Sequence, residues 1–117
     1  MSKITLLVEF AIKDGELGSY RDASTEMRAA VQEDEPGTIQ YDWWLSSDGT
    51  RGFNIEAFRD SDALATHMAN SAALVGDLIA AADVVRVEVF GELTKAGHAS
   101  IEGAATGYFS SLGGITR

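Results

Sequence analysis

Cysteine is absent from the 117 residues, and positively charged residues are scarce. Without cysteine the chain has no disulfide, no thiolate metal site and no cysteine nucleophile. Lysine and arginine number 9 against 18 aspartates and glutamates, which gives a formal net charge of −9. That charge argues against nucleic acids and anionic membranes as partners.

Long apolar runs and common catalytic motifs are also missing. The N-terminal stretch MSKITLLVEFAIKDGE is too short and interrupted to span a membrane, and it lacks the basic start and cleavage site of a signal peptide. We therefore expect a soluble cytoplasmic protein. No phosphate-binding glycine loop or GxSxG elbow occurs, and two distant histidines do not predict a zinc site. We predict neither a bound metal nor a cofactor.

The residues that are present have an ordinary globular balance, 45% hydrophobic and 23% charged, in a length typical of one domain. Residues 3–12 alternate with a period of two and predict a strand. Residues 16–34 change to apolar spacings of three and four, which predicts an amphipathic helix. Pro36 and Gly37 are expected to end that helix.

The following segments predict a hairpin, a broken helix and a last strand. Residues 38–47 and 50–58 are predicted strands, joined by a tight turn at Asp48-Gly49. Asp60 offers a capping oxygen for a helix that runs to about Asn70. Ser71 is expected to cap a second helical piece ending near Ala82, and residues 84–92 alternate again as a fourth strand. The glycine-rich remainder predicts irregular structure with a short helix near residues 98–111.

This order, β-α-β-β-α-β, predicts an α+β ferredoxin-like fold, in which a four-stranded antiparallel sheet carries its helices on one face. We assign residues 1–94 to the ferredoxin-like domain. Residues 95–117 form a C-terminal tail of the same domain or of a dimer interface. The sequence is compatible with three positions of the tail residues Tyr108, Phe109 and Leu112. They cover a pocket, pack on a second subunit or pack on their own sheet.

Both faces of the predicted sheet carry large apolar side chains. Strand parity assigns to the helix-covered face Ile4, Leu6, Val8, Phe10, Ile39, Tyr41, Trp43, Leu45, Phe53, Ile55, Ala57, Val85, Val87 and Val89. The outer face is mixed and receives Thr5, Leu7, Glu9, Ala11, Gln40, Asp42, Trp44, Ser46, Asn54, Glu56, Phe58, Arg86, Glu88 and Phe90. An exposed apolar patch of this kind marks an interaction surface, and a second copy of the sheet is its simplest partner. We therefore predict a homodimer with an interface at Leu7, Trp44, Phe58, Arg86 and Phe90.

The predicted outer face also gathers four carboxylates around Arg86, namely Glu9, Asp42, Glu56 and Glu88. Carboxylates covered by a second subunit lose water and must pair or take up protons. Two interpretations remain open at this point. The cluster is either a polar network that fixes the register of the dimer, or an acid–base or ligand site between subunits.

Two stretches resemble the antibiotic-biosynthesis-monooxygenase-like family of dimeric α/β barrels. They are EPGTIQYDWWLSSDGT and EAFRDSDALATHMANSAAL, and the resemblance covers about residues 3–92. It implies a homodimer whose two sheets close into an eight-stranded barrel. It also implies a cofactor-free monooxygenase that oxidises a small phenolic or quinol substrate with dioxygen, since several family members do so. Many others have no known activity, and fold alone does not decide among them.

Under this resemblance the substrate pocket lies between the helices and the apolar sheet face. Tyr41, Trp43 and Met68 are the candidate binding residues for a small aromatic molecule. His67 and Asn70 lie three apart on one helix and project from the same side. His67 would take a phenolic proton, and Asn70 would donate hydrogen bonds to an oxygen anion.

Three alternatives remain open beside the monooxygenase. One is a non-catalytic dimeric module that binds a small aromatic ligand, and another is an isomerase or decarboxylase that uses His67. The third is a haem-degrading enzyme, for which His67, Trp43 and Asn70 supply the residue types. Haem-degrading relatives carry an asparagine on the first strand, however, and ITLLVEFAI has none.

Overall fold

The computed structural model describes residues 2–117, which form one sheet and four helices. Along the chain the elements are β1 (Ile4–Ile12), α1 (Leu17–Asp34), β2 (Thr38–Leu45), β3 (Arg51–Phe58), α2 (Ser61–Ser71), α3 (Val75–Ala81), β4 (Ala82–Phe90), α4 (Lys95–Ile101) and β5 (Gly107–Phe109). The sheet order is β2-β3-β1-β4-β5, antiparallel except for β5, which runs parallel to β4. The predicted ferredoxin-like α+β fold is confirmed, with β5 as an additional edge strand.

Local sequence signals explain where the elements begin and end. Asp60 caps α2, because its side chain accepts a hydrogen bond from the Ala63 backbone N–H at 2.9 Å. Asp48 holds the β2–β3 turn through the Thr50 backbone N–H, and Gly49 supplies the positive φ of +73° that the turn requires. Ser71 is not the predicted cap, because α3 begins after Leu74. The predicted helix at 98–111 is instead the shorter α4 followed by β5.

The face assignment of β3 from sequence was wrong. Asn54, Glu56 and Phe58 lie opposite Val8, Leu6 and Ile4 of β1, so they share the helix-covered face. Phe58 is 0% exposed and packs in the core, which removes it from the predicted dimer interface. Phe53 and Ile55 take its place on the outer face. Parity misled here, because the more apolar set of β3 faces outwards and the inner face carries the buried polar residues Asn54 and Glu56.

Two register irregularities explain the other misplaced residues. The register of β2 on β3 shifts between Thr38 and Gln40. The register of β4 on β1 shifts between the two β4 residues that lie opposite Glu9 and Phe10. An extra residue in a strand is left out of the alternation. Ile39 and Val85, both predicted to be covered by helices, are therefore exposed.

The outer sheet face keeps part of the predicted charged cluster. Glu9 accepts from Arg51 at 2.9 Å and from Arg86 at 2.8 Å, and these two guanidinium groups lower the pKa of its carboxyl. Glu56 does not belong to this cluster, since it lies on the opposite face. Trp44 is 58% exposed on this face beside the partly exposed Phe53, and Leu7 and Phe90 are further accessible apolar side chains of the same face. No helix in residues 2–117 is both long and apolar enough to cross a lipid bilayer.

Candidate functional site

A cavity of about 390 Å³ lies between the inner sheet face and the helices. Its wall is mostly apolar, with contributions from the four antiparallel strands and from the two pieces of the broken helix. The lining side chains include Leu6, Val8, Phe10, Met27, Tyr41, Trp43, Asn54, Glu56, His67, Met68, Ser71, Val75, Leu78, Val87 and Ile101. An apolar cavity with a few polar groups is the usual form of a small-molecule site.

His67 is the central polar group of this cavity and is 4% exposed. The C-terminal half of α2 holds it against the rings of Tyr41 and Phe58, whose centroids lie 5.4 and 5.1 Å from that of the imidazole. Ser71, one turn later, donates to the His67 carbonyl at 2.7 Å, and its oxygen lies 3.1 Å from Nε2. The ring is therefore fixed by packing and by its own helix.

Two buried carboxylates bracket the imidazole. Nδ1 lies 2.7 Å from Oε1 of Glu35, and Nε2 lies 3.0 Å from Oε1 of Glu56. The Glu56 oxygen is off the line of the ring N–H bond, and no other group donates to it within residues 2–117. Because the carboxylates engage opposite nitrogens, they do not converge on one point as metal ligands do.

The chain reaches this arrangement from three separate elements. Glu35 follows α1 immediately, 5% exposed, and accepts from the Thr38 hydroxyl at 3.0 Å. Glu56 comes from the second half of β3, 4% exposed, opposite Leu6 and Tyr41 on the neighbouring strands. Each carboxylate thus loses its water and has His67 as its cationic partner.

Burial by itself lowers the pKa of His67, but Glu56 and Glu35 on the two ring nitrogens outweigh it. The net result is a pKa raised above the ordinary value of 6.5. The two carboxylates therefore favour the imidazolium form of His67. Burial, followed by the charges of Glu56 and Glu35, raises the pKa of Tyr41, which keeps that phenol neutral.

The structure places four of the predicted site residues together on the cavity wall: His67, Tyr41, Trp43 and Met68. Asn70 lies outside the cavity, exposed, with its amide 3.5 Å from Glu35. Sequence reasoning missed Asn54 and both carboxylates. The wrong parity of β3 hid Asn54 and Glu56, while the position of Glu35, between a helix end and Pro36-Gly37, resembled an ordinary solvated helix terminus.

A larger groove of about 740 Å³ lies on the other side of Trp43, between α1 and β2. Arg21, Arg28, Asp42 and Trp44 are among its lining residues. Its described lining contains no buried carboxylate or histidine, so it offers no comparable acid–base chemistry.

Residues 3–75 match the family described as antibiotic biosynthesis monooxygenase. The chain belongs to this family. The matched segment includes β1 to α2 and hence Glu35, Glu56 and His67. No curated protein sequence matches the chain.

Solved structures share the fold over most of the length of this family member. MupZ from Pseudomonas fluorescens is 21% identical, with 98% of this chain and 93% of that chain covered and a TM-score of 0.81. SnoaB from Streptomyces nogalater, described as a cofactor-independent oxygenase, is 16% identical, with 81% and 97% covered and a TM-score of 0.68. At these identities the likeness establishes the fold and leaves the chemistry to the site.

Proposed function

We propose that this protein is a cofactor-independent monooxygenase that oxidises a small phenolic or quinol substrate with dioxygen. The observation that carries the proposal is a buried histidine between two carboxylates, on the wall of an apolar cavity, in a family of this name. SnoaB, of the same fold, is described as a cofactor-independent oxygenase.

The cavity wall suits an aromatic substrate. Trp43 stacks on Phe10 with centroids 5.9 Å apart and meets Tyr41 edge to face at 5.7 Å, which makes a rigid aromatic surface. The indole Nε1 of Trp43 is buried and has no hydrogen-bond partner within residues 2–117. A substrate oxygen placed beside that indole would give it one.

Glu56 is the proposed proton acceptor, because it is the one of the two carboxylates that lines the cavity and its Oε1 receives no well-aligned hydrogen bond from the described part of the chain. In its protonated form His67 supplies a positive charge and a donor beside the phenolate that forms. Fixed charges in a mainly apolar site stabilise such an anion more than solvent does. Asn70 has no place in this scheme, since it lies outside the cavity.

The reaction balances without an external reductant. A phenol with a free para position and one molecule of dioxygen give a para-quinone and one molecule of water. The phenolate transfers one electron to dioxygen, and the two radicals combine at the ring carbon as a peroxide. Loss of the ring hydrogen then cleaves the O–O bond. The hydrogens of the water come from the hydroxyl group and from the ring carbon.

Oxygen uptake with a panel of para-unsubstituted phenols and quinols tests the proposal. We expect one dioxygen consumed per quinone formed from a phenol, with no added metal, flavin or haem. The matched control is His98→Gln, which removes the exposed histidine of α4 and is expected to leave the rate unchanged. Absence of uptake across naphthol, anthrone and quinol substrates would contradict the proposal.

A second candidate is proton transfer on a phenol or enol without dioxygen, as in an isomerase or decarboxylase. The specific observation in its favour is that an acid and a base, His67 and Glu56, sit 3.0 Å apart in one cavity. Product analysis under nitrogen separates the two candidates, since only this second activity survives there. Saturable binding of a phenol with no product in air or nitrogen would instead select the ligand-binding module.

The site does not fit the haem-degrading alternative. An axial histidine needs a ring nitrogen free to bind iron. Here Nδ1 faces Glu35, and Nε2 faces Glu56 and Ser71. Absence of a Soret band on addition of haemin is the expected result.

We also propose that the chain forms a homodimer through its outer sheet face, since members of this family are generally dimeric. Leu7, Trp44 and Phe90 supply the apolar contacts, together with Phe53 and Ile55 in place of Phe58. Arg86 contributes through its ion pair with Glu9. Trp44→Asp is expected to dissociate the dimer in sedimentation velocity, and a stable 12.5 kDa species of the unmodified chain at micromolar concentration would contradict the proposal.

A further inference from the structure

Residues 110–117 follow β5 as an exposed segment that lies outside the sheet and the helices. In this segment Leu112 is 103% exposed and Ile115 is 81% exposed. A side chain added at Gly113 would meet no atom within 4 Å, and the hydrogen bond from the Gly113 N–H to the Ser111 hydroxyl stays within the segment. Within residues 2–117 the two aliphatic side chains therefore have no surface to pack on.

The exposed segment begins at the rim of the outer sheet face. Phe109, the residue before it, stacks on Phe90 of β4 with ring centroids 5.1 Å apart, and both rings are partly exposed. On the helix side of β5, Tyr108 stacks on His98 of α4 at 5.0 Å. The apolar face that we propose as the dimer interface thus continues to the point where the segment starts.

We propose that the exposed segment of each copy packs on the partner copy, along the start of β2 and over the groove beside Glu35. This inference rests on the proposed homodimer, and it makes the second copy part of the candidate site. The groove has a volume of about 670 Å³ and lies between the end of α1 and the start of β2, with Val31, Glu35 and Ile39 in its wall. Because Glu35 contacts Nδ1 of His67, the partner's segment closes the site on the side of Glu35.

The register of the sheet sets the exposed segment level with this groove. One row of paired residues crosses all five strands: Gln40, Ala57, Thr5, Phe90 and Phe109. β5 runs antiparallel to β2, because it is parallel to β4 and the other neighbouring strands are antiparallel. Beyond the row, one edge of the sheet therefore continues into the segment, and the other edge continues into the start of β2 and Glu35.

A two-fold axis brings these two edges together. When the outer faces of two copies stack about an axis parallel to the strands, β5 of each copy lies beside β2 of the other at the same level. Stacked sheets are about 10 Å apart and eight extended residues span up to about 26 Å, so the segment reaches the partner. It arrives antiparallel to β2, which is a free edge of the sheet and can pair with an added strand.

The start of β2 has the chemistry to receive the exposed segment. Ile39 is 58% exposed, because it lies outside the alternation of β2, and it offers an aliphatic contact to Leu112 and Ile115. Arg117, the one charged residue of the segment, then lies near the acidic end of α1, where Glu33 is exposed. Apolar contact and opposite charge both support a second copy as the occupant of this surface.

Cross-linking tests the proposal, because the chain contains no cysteine and introduced thiols are the only ones present. The double variant Ile39→Cys, Leu112→Cys is treated with a short bismaleimide at micromolar protein. We expect a covalent dimer of twice 12.5 kDa on a denaturing gel. The matched control is Ile79→Cys with Leu112→Cys, which places the first thiol on α3 at a similar exposure of 49% and should give no covalent dimer.

Three outcomes of the cross-linking would overturn the proposal. A cross-link within one chain would show that the segment folds back on its own sheet. A covalent dimer of Leu112→Cys alone would show that the two segments meet each other. Absence of a cross-link in a protein that sediments as a dimer would reject docking of the segment while the proposed homodimer stands. None of these measurements needs turnover, so they are independent of the oxygen-uptake assay.

Substitution in the exposed segment gives a second measurement. Leu112→Asp is expected to raise the dissociation constant of the dimer by on the order of tenfold or more, because it replaces an aliphatic contact with a charge. Ser111→Asp adds the same charge at the neighbouring residue and keeps both aliphatic side chains, so its effect should be clearly smaller. Both variants should fold normally, since these side chains are exposed within one copy. Equal dissociation constants for the two variants would contradict apolar docking of the segment.

Discussion

The variant His67→Leu is expected to lose about 3–5 kcal/mol of its free energy of unfolding at about pH 6. The substitution removes the cationic partner of Glu35 and Glu56 and leaves two carboxylates, 5% and 4% exposed, without compensation. Breaking a buried charge pair from one side costs far more than a lost surface contact, because the remaining charge cannot regain water. Urea denaturation followed by tryptophan fluorescence or circular dichroism measures the loss.

The matched control removes the charge of the two carboxylates that His67→Leu leaves without a partner. In the triple variant Glu35→Gln, His67→Leu, Glu56→Gln, both buried carboxylates of the site are gone, and we expect most of the stability to return. If the loss came only from imperfect packing of leucine, the triple variant would stay as unstable as the single one. A loss below about 1 kcal/mol in His67→Leu would show that the carboxylates are not charged in the folded protein.

The pH profile gives this prediction a second readout. Since the pKa of His67 is raised on folding, its contribution is complete below the ordinary value of 6.5 and is lost as the pH rises through the raised value. The unmodified protein should therefore lose stability as the pH rises from about 6.5 through the raised pKa. His67→Leu should lack this limb of the profile, whereas His98→Gln should retain it.

The variant Glu56→Gln is expected to lower kcat by about 10²–10⁴-fold, the usual contribution of a general base. Glutamine keeps the shape of the side chain and an oxygen near Nε2, so the cavity and its affinity for a phenol should change little. The reduction should therefore appear in kcat rather than in KM. Oxygen uptake with the best substrate of the panel measures it.

Glu88→Gln is the control for Glu56→Gln. It removes a carboxylate from β4, where Glu88 accepts from the Thr106 hydroxyl at 3.0 Å and does not line the cavity. We expect normal turnover in this variant. Full activity in Glu56→Gln would assign the proton acceptor to another group and contradict the mechanism.

The order and type of the elements from β1 to β4 could be predicted because they depend on local patterns. The alternation of residues 3–12 and the three- and four-residue spacing of residues 16–34 became β1 and α1. Asp60 capped α2, and Asp48-Gly49 made the hairpin turn. These signals act within a few residues, so no distant contact was needed to interpret them.

The sides of the strands could be predicted only where one side was clearly more apolar. On β1, Ile4, Leu6, Val8 and Phe10 point to the core as expected. On β3, Phe53 and Ile55 face outwards instead. Ile39 and Val85 are the extra residues at the two register shifts, so they fall outside the alternation of their strands and are exposed.

The fold, the family and the choice of His67 as a candidate followed from local patterns and residue types in the chain. The surroundings of that histidine depend on tertiary packing, because Glu35 at the end of α1 and Glu56 on β3 meet it only when α1 and the sheet pack against α2. Buried carboxylates leave no periodic signature in a sequence. Their positions follow from strand register and helix packing, and these in turn decide whether a histidine is a neutral core residue or a charged one.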